Sequence, residues 1–593
     1  MQTAPPAATV VAIALPVLVI LGEVAVVETL RFRSIVLGLA LALAFLTLRI
    51  RNRYAGVIPH ALALLAMGLA LAIAAGGRGF LARASEPLAM DLVLGGGLLA
   101  LVIAAAWVST GAALPVLSIV TIAYVLWGSE LDRIGLSMIA HRGYDISRLI
   151  GSMVMGFEGV FGVPLDVAAT TIGLFAIYGA LLEASGAAEF FLNLSFASFS
   201  GGNSARGAGR AVTFAGFLLG SVSGSGVATT LTLGGASAPL LRRAGFTREN
   251  SGALLAAAGI GAILSPPTLG AAAFLIAEFL KISYGQVLLM AVIPTLLYYF
   301  GILLMIEADV PRGSPPSPSD PPVAPPLAVG AIFRSGGHHL ISPLLIVLFL
   351  LAGYSATRAA LFACVGAIVL SFANRAEALS PRRLRRALTS AGASLVPVIA
   401  TTACAGILVA GLTLTGLGLK VAGLIVSLAG SNATGVILLS ALAVSVLGLS
   451  VPVTASYILS AVTIAPALIQ VGVNEQAAHM FIFYYAVLSE VSPPTALSPM
   501  AAATLCHGDP YRTILATLRY TLPAFLVPLA FTLRADGLGL LLQAPWAMIA
   551  TSLLAAVALV TAGVAAASGH LIRPLSPAVR GLFAAAGLLL LFV

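Results

Sequence analysis

Long apolar stretches, separated by short segments that carry most of the arginines, make up nearly the whole chain. Stretches of about 17–25 residues, which are long enough to cross a bilayer as helices, recur from residue 9 to the C-terminus. The last of them, 580–593, is barely long enough to cross. The pattern predicts an all-α polytopic membrane protein with about 15 transmembrane spans.

Four of the apolar segments are interrupted near their centres. Small and hydroxyl residues break the segments 210–241 and 433–470, and Ser-Pro-Pro-Thr breaks the spans 250–280 and 477–505. One such proline pair would predict only a helix kink, but its recurrence at the matching place in both halves favours a repeat. Broken backbone persists at membrane depth only where it is buried or lines a cavity. We therefore predict two re-entrant helical hairpins, each paired with a broken span, as in elevator-type transporters of the ion-transporter superfamily.

These features divide the chain into five predicted regions. They are a four-span membrane region (1–110), a first half with hairpin 1 (111–310), a Pro-rich linker (311–339), a second half with hairpin 2 (340–533), and additional C-terminal spans (534–593). The linker sequence Pro311–Pro322 is too rich in proline to be helical.

Arginines set the predicted orientation through the positive-inside rule. Hairpin 1 is flanked by basic residues such as Arg210 and Arg242, whereas the segments that flank hairpin 2 contain no basic residue. With the N-terminus in the cytoplasm, hairpin 1 enters from the cytoplasmic face and hairpin 2 from the opposite face. The two halves are therefore predicted to form an inverted repeat whose hairpin tips meet near the midplane.

Composition agrees with a membrane location and excludes several functions. The chain is 60% hydrophobic and only 9% charged, whereas soluble proteins contain about 25% charged residues. Its three cysteines lie in or beside apolar spans without the spacing of metal ligands, which favours packing roles. Neither a nucleotide-binding loop nor a metalloprotease or serine-nucleophile motif is present in the sequence. We therefore expect a non-enzymatic transporter whose energy comes from an ion gradient or from a separate subunit.

The residues at the four breaks are the candidate binding residues. Helix N-termini and hydroxyls that face a gap favour a carboxylate, while unwound carbonyls and helix C-termini favour a cation such as Na⁺. The predicted substrate-binding residues carry hydroxyls: Ser225, Thr229, Thr268, Thr454 and Thr495. The predicted Na⁺ ligands offer a hydroxyl, a freed carbonyl or a carboxylate: Ser223, Gly224, Gly261, Ser265, Pro266, Gly448, Ser450, Ser492, Pro493 and Glu490. Glu490 could alternatively carry a proton or be a structural, hydrogen-bonded glutamate.

Several motifs between residues 141 and 533 resemble one transporter family. They are His141–Tyr144, Glu158–Leu165, Ser223–Ala228, Pro266–Phe279 and Ala478–Leu488. The chain resembles the membrane permease of tripartite ATP-independent periplasmic (TRAP) transporters, in the form that fuses the small and large subunits and works with a TAXI-type binding protein. The resemblance implies a bacterial inner-membrane symporter that takes up a carboxylate with Na⁺ by an elevator motion. A periplasmic substrate-binding protein would deliver the organic acid.

Two other functions remain open from the sequence. A Na⁺/dicarboxylate symporter of related architecture would need no binding protein, but it would have no use for the four N-terminal spans. A channel would need a ring of like charges, and an intramembrane enzyme would need paired catalytic residues at one depth; neither pattern is visible.

Overall fold

The computed structural model describes residues 5–48, 57–199, 205–309, 328–375, 377–430, 432–449, 451–571 and 573–592. These residues form 29 α-helices and no β-strand. The predicted all-α class is therefore confirmed.

The first part of the chain contains four long apolar helices followed by three shorter ones. The helices are α1 (Pro6–Val24), α2 (Thr29–Leu46), α3 (Val57–Ala82), α4 (Ala89–Thr110), α5 (Ala113–Trp127), α6 (Glu130–Arg133) and α7 (Ile146–Met153). Helix α2 packs against α3, and its sides are largely buried in the protein.

The next part holds the first predicted hairpin and the first broken span. Its helices are α8 (Val163–Val167), α9 (Gly173–Ala184), α10 (Ala187–Phe199), α11 (Ala205–Ser223), α12 (Gly226–Arg243), α13 (Arg248–Leu264), α14 (Ala271–Leu280) and α15 (Tyr284–Asp309). A π-helical turn, Ala168–Ile172, joins α8 to α9. Hairpin 1 consists of α11 and α12, and the broken span consists of α13 and α14.

The third part begins inside the range expected for the linker. Residues 311–327 of that range lie outside the described residues, and α16 (Val329–Gly336) already begins at Val329. A 3₁₀ turn, Gly337–Leu340, leads into α17 (Ile341–Leu351), so that Val329–Leu351 is long and apolar enough to span. Helices α18 (Ala356–Ser371) and α19 (Pro381–Thr415) follow.

The second hairpin, the second broken span and the C-terminal helices complete the chain. They are α20 (Leu417–Leu428), α21 (Ala433–Gly448), α22 (Val453–Thr463), α23 (Ala465–Gln470), α24 (Glu475–Leu488), α25 (Leu497–Cys506), α26 (Pro510–Tyr520), α27 (Leu522–Leu533), α28 (Trp546–Ser568) and α29 (Pro577–Leu590). Hairpin 2 consists of α21 and α22, and its broken span of α24 and α25.

Nine helices of the described part are long and apolar enough to cross a membrane, or ten if the bent pair α26 and α27 is one span. The predicted number of about 15 also included shorter helices such as α5, α18 and α29, which have 15, 16 and 14 residues. Their lengths lie below those of ordinary spans, so the span count remains a prediction.

Helix α19 is the longest helix and lies at the centre of the fold. Its 35 residues begin with Pro381 at the first helical position, where a proline costs no hydrogen bond, and the Ser380 side chain accepts from the Arg383 amide. It ends at Gly416, whose φ of 68° terminates the helix. Helices α1, α2, α4, α5, α9 and α22 all pack against it. It therefore connects the N-terminal region to both halves.

The two broken spans pack against each other in an antiparallel arrangement. Helix α13, which begins the first broken span, packs against α25, which ends the second. Helix α14, which ends the first, packs against α24, which begins the second. This arrangement is compatible with the predicted inverted repeat, whose placement in a membrane remains a prediction.

A buried arginine joins the N-terminal helices to the rest of the protein. The Arg33 side chain on α2 is 10% exposed and donates from Nε to Asp166 Oδ1 at 2.9 Å. Its Nη1 also donates to the Phe161 carbonyl. An arginine holds two acceptors in this way because its guanidinium has several donors in fixed directions.

We expect Arg33→Ala to destabilise the protein by about 2 kcal/mol, because charged hydrogen bonds are lost and the buried Phe161 carbonyl stays unpaired. The melting temperature of the purified chain in detergent measures the effect. Arg31→Ala is the matched control, because Arg31 on the same helix is 55% exposed where it pairs with Glu28, and exposed pairs contribute little. Equal melting temperatures for the two variants would contradict the assigned role of Arg33.

Candidate functional site

Each Ser-Pro-Pro-Thr break is tied to the tip of its own hairpin by its threonine. Thr268 Oγ1 donates to the Gly220 carbonyl of hairpin 1 at 3.0 Å. Thr495 Oγ1 donates in the same way to the Leu449 carbonyl of hairpin 2. Side-chain hydroxyls can satisfy backbone carbonyls that broken helices leave unpaired. The same contact therefore stabilises both pairs of interrupted segments.

The serines and the backbone of the two breaks also correspond. Ser265 Oγ donates to the Gly261 carbonyl, and Ser492 Oγ donates to the Leu488 carbonyl one turn earlier, at 2.9 Å. Leu269 and Ala496 are separated by the same number of residues as these two serines, and both have a positive φ, 39° and 32°. The repeated sequence thus produces the same local geometry twice.

Hairpin 1 turns at a glycine in the left-handed backbone region, which residues with a side chain rarely adopt. Ser223 ends α11, Gly224 has a φ of 59°, and Ser225 caps α12, where its Oγ accepts from the Ala228 amide at 3.4 Å. A Cβ at Gly224 would also lie 3.0 Å from the Leu269 carbonyl oxygen of the first break. The tip and the break are therefore in close contact through backbone atoms.

A cavity of about 480 Å³ lies beside this tip. Hairpin 1 and the first break form one side, and α9, α10 and α19 form the other. Its apolar lining includes Ile172, Phe175, Phe191, Leu219 and Phe274. A largely apolar cavity of this size with a few polar groups is typical of small-molecule sites.

Five of the predicted site residues line this cavity. They are Ser223, Gly224, Ser225, Thr229 and Thr268, all from the first half. Gly261, Ser265 and Pro266 belong to the same broken span but do not line it.

The candidates of the second half also lie away from this lining. Gly448 ends α21 and packs against Ser489, while Thr454 lies in the first turn of α22. Ser492, Pro493 and Thr495 form the second break. Ser450 lies outside the described residues.

Glu490 connects the second break to hairpin 1. A Cβ at Gly226, the first residue of α12, would lie 2.7 Å from Glu490 Oε2, so the carboxylate rests against the hairpin tip. Ser498 Oγ donates to the same oxygen at 3.4 Å. Among the described residues, no basic side chain forms an ion pair with Glu490. A carboxylate at membrane depth without a basic partner is a candidate to interact with a cation or a proton.

Thr229 brings an unpaired hydroxyl to the cavity. Its side chain is 1% exposed, and its Oγ1 has no hydrogen-bond partner among the described residues. A buried hydroxyl without a partner costs free energy, so its position beside a cavity makes Thr229 a candidate to bind a ligand. Thr229 lies one turn after the cap residue Ser225, on the cavity side of α12.

Sequence reasoning missed the residues on the far side of the cavity. Helix α9 contributes Glu183, the one charged residue among the described residues of the lining, and α19 contributes Ser390, Ser394 and Pro397. The sequence signal for these residues is that the small or polar positions on each helix are three to four residues apart and therefore share one face. It could be recognised only by knowing which face of each helix meets the hairpin.

Interrupted hairpins, broken spans and a cavity between two groups of helices define a membrane transporter of the secondary class. The sequence model of the family "Tripartite ATP-independent periplasmic transporter, DctM component" matches residues 96–535. The chain therefore belongs to this family, whose members are transporters rather than enzymes and work with a periplasmic substrate-binding protein. The resemblance drawn from the motifs is confirmed at the level of the family, and with it the location in the inner membrane.

The match begins inside α4 and ends just after α27, so that α1–α3, α28 and α29 lie beyond it. Comparison with curated proteins gave no match. Among solved structures, the crystal structure of the YdaH transporter of Alcanivorax borkumensis is similar, with 16% identity and a TM-score of 0.45. The similarity covers 74% of this chain and 99% of that chain, and at this TM-score it supports no argument about function.

We expect Thr229→Val to lower transport activity while the protein remains folded. The substitution keeps the side-chain shape and removes an unpaired hydroxyl, and a lost hydrogen bond to a charged ligand lowers affinity about 10–100-fold. Uptake in proteoliposomes and the melting temperature are measured together.

Thr230→Val is the matched control. Thr230 is also buried and its hydroxyl also has no partner among the described residues, but it contacts Gly259 of α13 rather than the cavity. If both valine variants transport normally, Thr229 has no role in binding.

Proposed function

We propose that this permease couples the uptake of an organic acid to Na⁺. The observation that carries the proposal is the cavity between hairpin 1 and helices α9 and α19. One of its walls is the N-terminus of α12, with the Ser225 cap and the unpaired Thr229 hydroxyl. Helix N-termini present free amides and a partial positive charge, which favour a carboxylate.

Apart from the acidic Glu183, the rest of the described lining suits the body of an organic acid. Aromatic side chains from α9, α10 and α14 provide apolar surface, and Ser394 on α19 provides a hydroxyl on the opposite wall. The described lining has no arginine or lysine, so recognition of the carboxylate would depend on backbone amides and hydroxyls. We assign carboxylate binding to Ser225 and Thr229, whereas Thr268, whose hydroxyl donates to the Gly220 carbonyl, would contact the substrate only as part of the cavity wall. Thr454 and Thr495 would contribute only if hairpin 2 approaches the substrate in another state.

The residues around the second break fit a bound cation. Glu490 is an acidic side chain between buried neighbours, with one weak hydrogen bond and without a basic partner among the described residues. An unpaired carboxylate in an apolar environment is costly, and a cation would reduce that cost. Na⁺ would be held by Glu490 together with hydroxyl and carbonyl oxygens of the tips and breaks. Coupling to H⁺ through Glu490 is the second candidate, because protonation would neutralise the same group.

The position of the cavity supports an elevator mechanism. The substrate would sit between the hairpin-bearing helices and the long helix α19, which packs against the N-terminal helices. Movement of hairpin 1 and its broken span along α9 and α19 would carry the substrate across the membrane. The positions on α9 that line the cavity include Ala176, Gly179 and Ala180, whose small side chains give little obstruction to sliding.

The partner we propose is a periplasmic binding protein of the TAXI type, with α1–α4 as the fused small subunit. The distribution of arginines places the N-terminus and the base of hairpin 1 in the cytoplasm. In this orientation the base of hairpin 2 faces the periplasm and the binding protein.

The proposal is tested by uptake into proteoliposomes that contain the full chain. A panel of short mono- and dicarboxylates is first screened against the binding protein encoded nearest to the permease, and the tightest ligand is then radiolabelled. We expect uptake only with the loaded binding protein and an inward Na⁺ gradient, and little uptake when choline replaces Na⁺. Robust uptake by the chain alone would instead support the independent Na⁺/dicarboxylate symporter.

Glu490→Gln separates the two coupling ions. If Na⁺ binds at this carboxylate, the variant should need a higher Na⁺ concentration for half-maximal uptake, because the charge is lost while the shape remains. If a proton is carried instead, the variant should lose its response to an inward pH gradient and keep its dependence on Na⁺. Unchanged responses to both ions would remove Glu490 from the coupling site.

A further inference from the structure

Two histidines and a glutamate converge near the N-terminus of α19. His338 and His339 lie in the 3₁₀ turn before α17, and Glu377 lies in the segment before α19. Glu377 Oε2 is 3.1 Å from His339 Nε2 and 3.6 Å from His338 Nε2. One ligand atom from each of the three residues lies within 4.8 Å of the others.

These separations fit a metal centre in which the ion replaces the hydrogen bond that joins His339 to Glu377. Zinc held at about 2.0–2.1 Å in a tetrahedron keeps its ligand atoms about 3.3 Å apart. The two measured distances from Glu377 lie on either side of that value. Two imidazole nitrogens and one carboxylate oxygen are also a common zinc ligand set, which leaves a fourth position for water.

His338 lacks a hydrogen-bond partner that would explain its position. Its Nε2 is buried and unpaired among the described residues, and 3.6 Å from Glu377 is too long for a hydrogen bond. The two imidazole rings lie with centroids 4.1 Å apart, so both nitrogens approach one carboxylate. A metal ion would provide the missing partner for His338 and would join the three side chains.

The surrounding structure holds these ligands in place. His339 is 3% exposed, and its ring lies 5.7 Å from the ring of Phe190 on α10. Glu377 lies against Gly186 at the turn between α9 and α10, where a Cβ would be 3.5 Å from Glu377 Cγ. Ligands that are fixed by packing bind a metal with less loss of entropy.

We propose that His338, His339 and Glu377 bind a divalent transition-metal ion of the Zn²⁺ class. Imidazole nitrogens select such ions over Mg²⁺ and Ca²⁺, which prefer sites built from oxygen. The ion joins the turn before α17 to the segment before α19, next to the base of α10. None of the three ligands lines the substrate cavity, and the site does not depend on the proposed coupling ion.

The test uses the full chain purified in detergent with an affinity tag that contains no histidine. After chelation of any metal, the protein is titrated with Co²⁺, whose visible absorption intensifies on binding to a tetrahedral site, and then with Zn²⁺ as competitor. We expect about one equivalent of either ion per chain. Zn²⁺ should also raise the melting temperature, because it binds the folded state.

His338→Ala and Glu377→Gln should each weaken Zn²⁺ binding about tenfold or more and abolish the rise in melting temperature. His338→Ala breaks no hydrogen bond of the described structure, so it keeps the test valid if the other variant folds poorly. His507→Asn is the control, because His507 is exposed and has a φ of 53° that asparagine tolerates. No saturable binding by the unmodified chain, or equal binding by His338→Ala, would overturn the proposal.

Discussion

The structure depends on how two broken membrane helices satisfy their backbone. A proline pair removes amide donors and interrupts the helix, and carbonyls at membrane depth cannot turn to water. Thr268 and Thr495 respond in the same way, each by donating to a carbonyl at the tip of its own hairpin. In each half, this hydrogen bond holds the hairpin tip and the broken span together. The interruptions can therefore persist, and one of them borders the cavity.

A second constraint is the position of α19. It packs against the N-terminal helices on one side and presents Ser390, Ser394 and Pro397 to the cavity on another. The N-terminal region is in turn joined to the family region by Arg33 and Asp166. Helix α19 and hairpin 1 therefore lie on opposite sides of the cavity, as the proposed movement of one group of helices relative to the other requires.

The two halves are similar in local geometry but differ in what they contribute. Leu269 and Ala496 share a positive φ, and both breaks have a serine bonded to the preceding turn. Yet the cavity is lined by the tip and break of the first half, while the second half places Glu490 against that tip. The repeated sequence produces the same local hydrogen bonds in both halves. The neighbours of the two copies differ, because each copy packs against different segments of the chain.

The sequence alone determined the all-α membrane class, the two interrupted hairpins, the breaks and the family, because each depends on local chemistry: apolar length, proline and glycine, and short motifs. It also identified Ser225, Thr229 and Thr268 as candidate site residues, and these line the cavity. Only the tertiary structure decided that α9 and α19 form the opposite wall, that Glu490 meets Gly226, and that His338 and His339 meet Glu377. The reason is that lipid-facing and protein-facing sides of a membrane helix are both apolar. Its sequence therefore carries little information about which face meets which neighbour, and contacts between distant segments emerge only on packing.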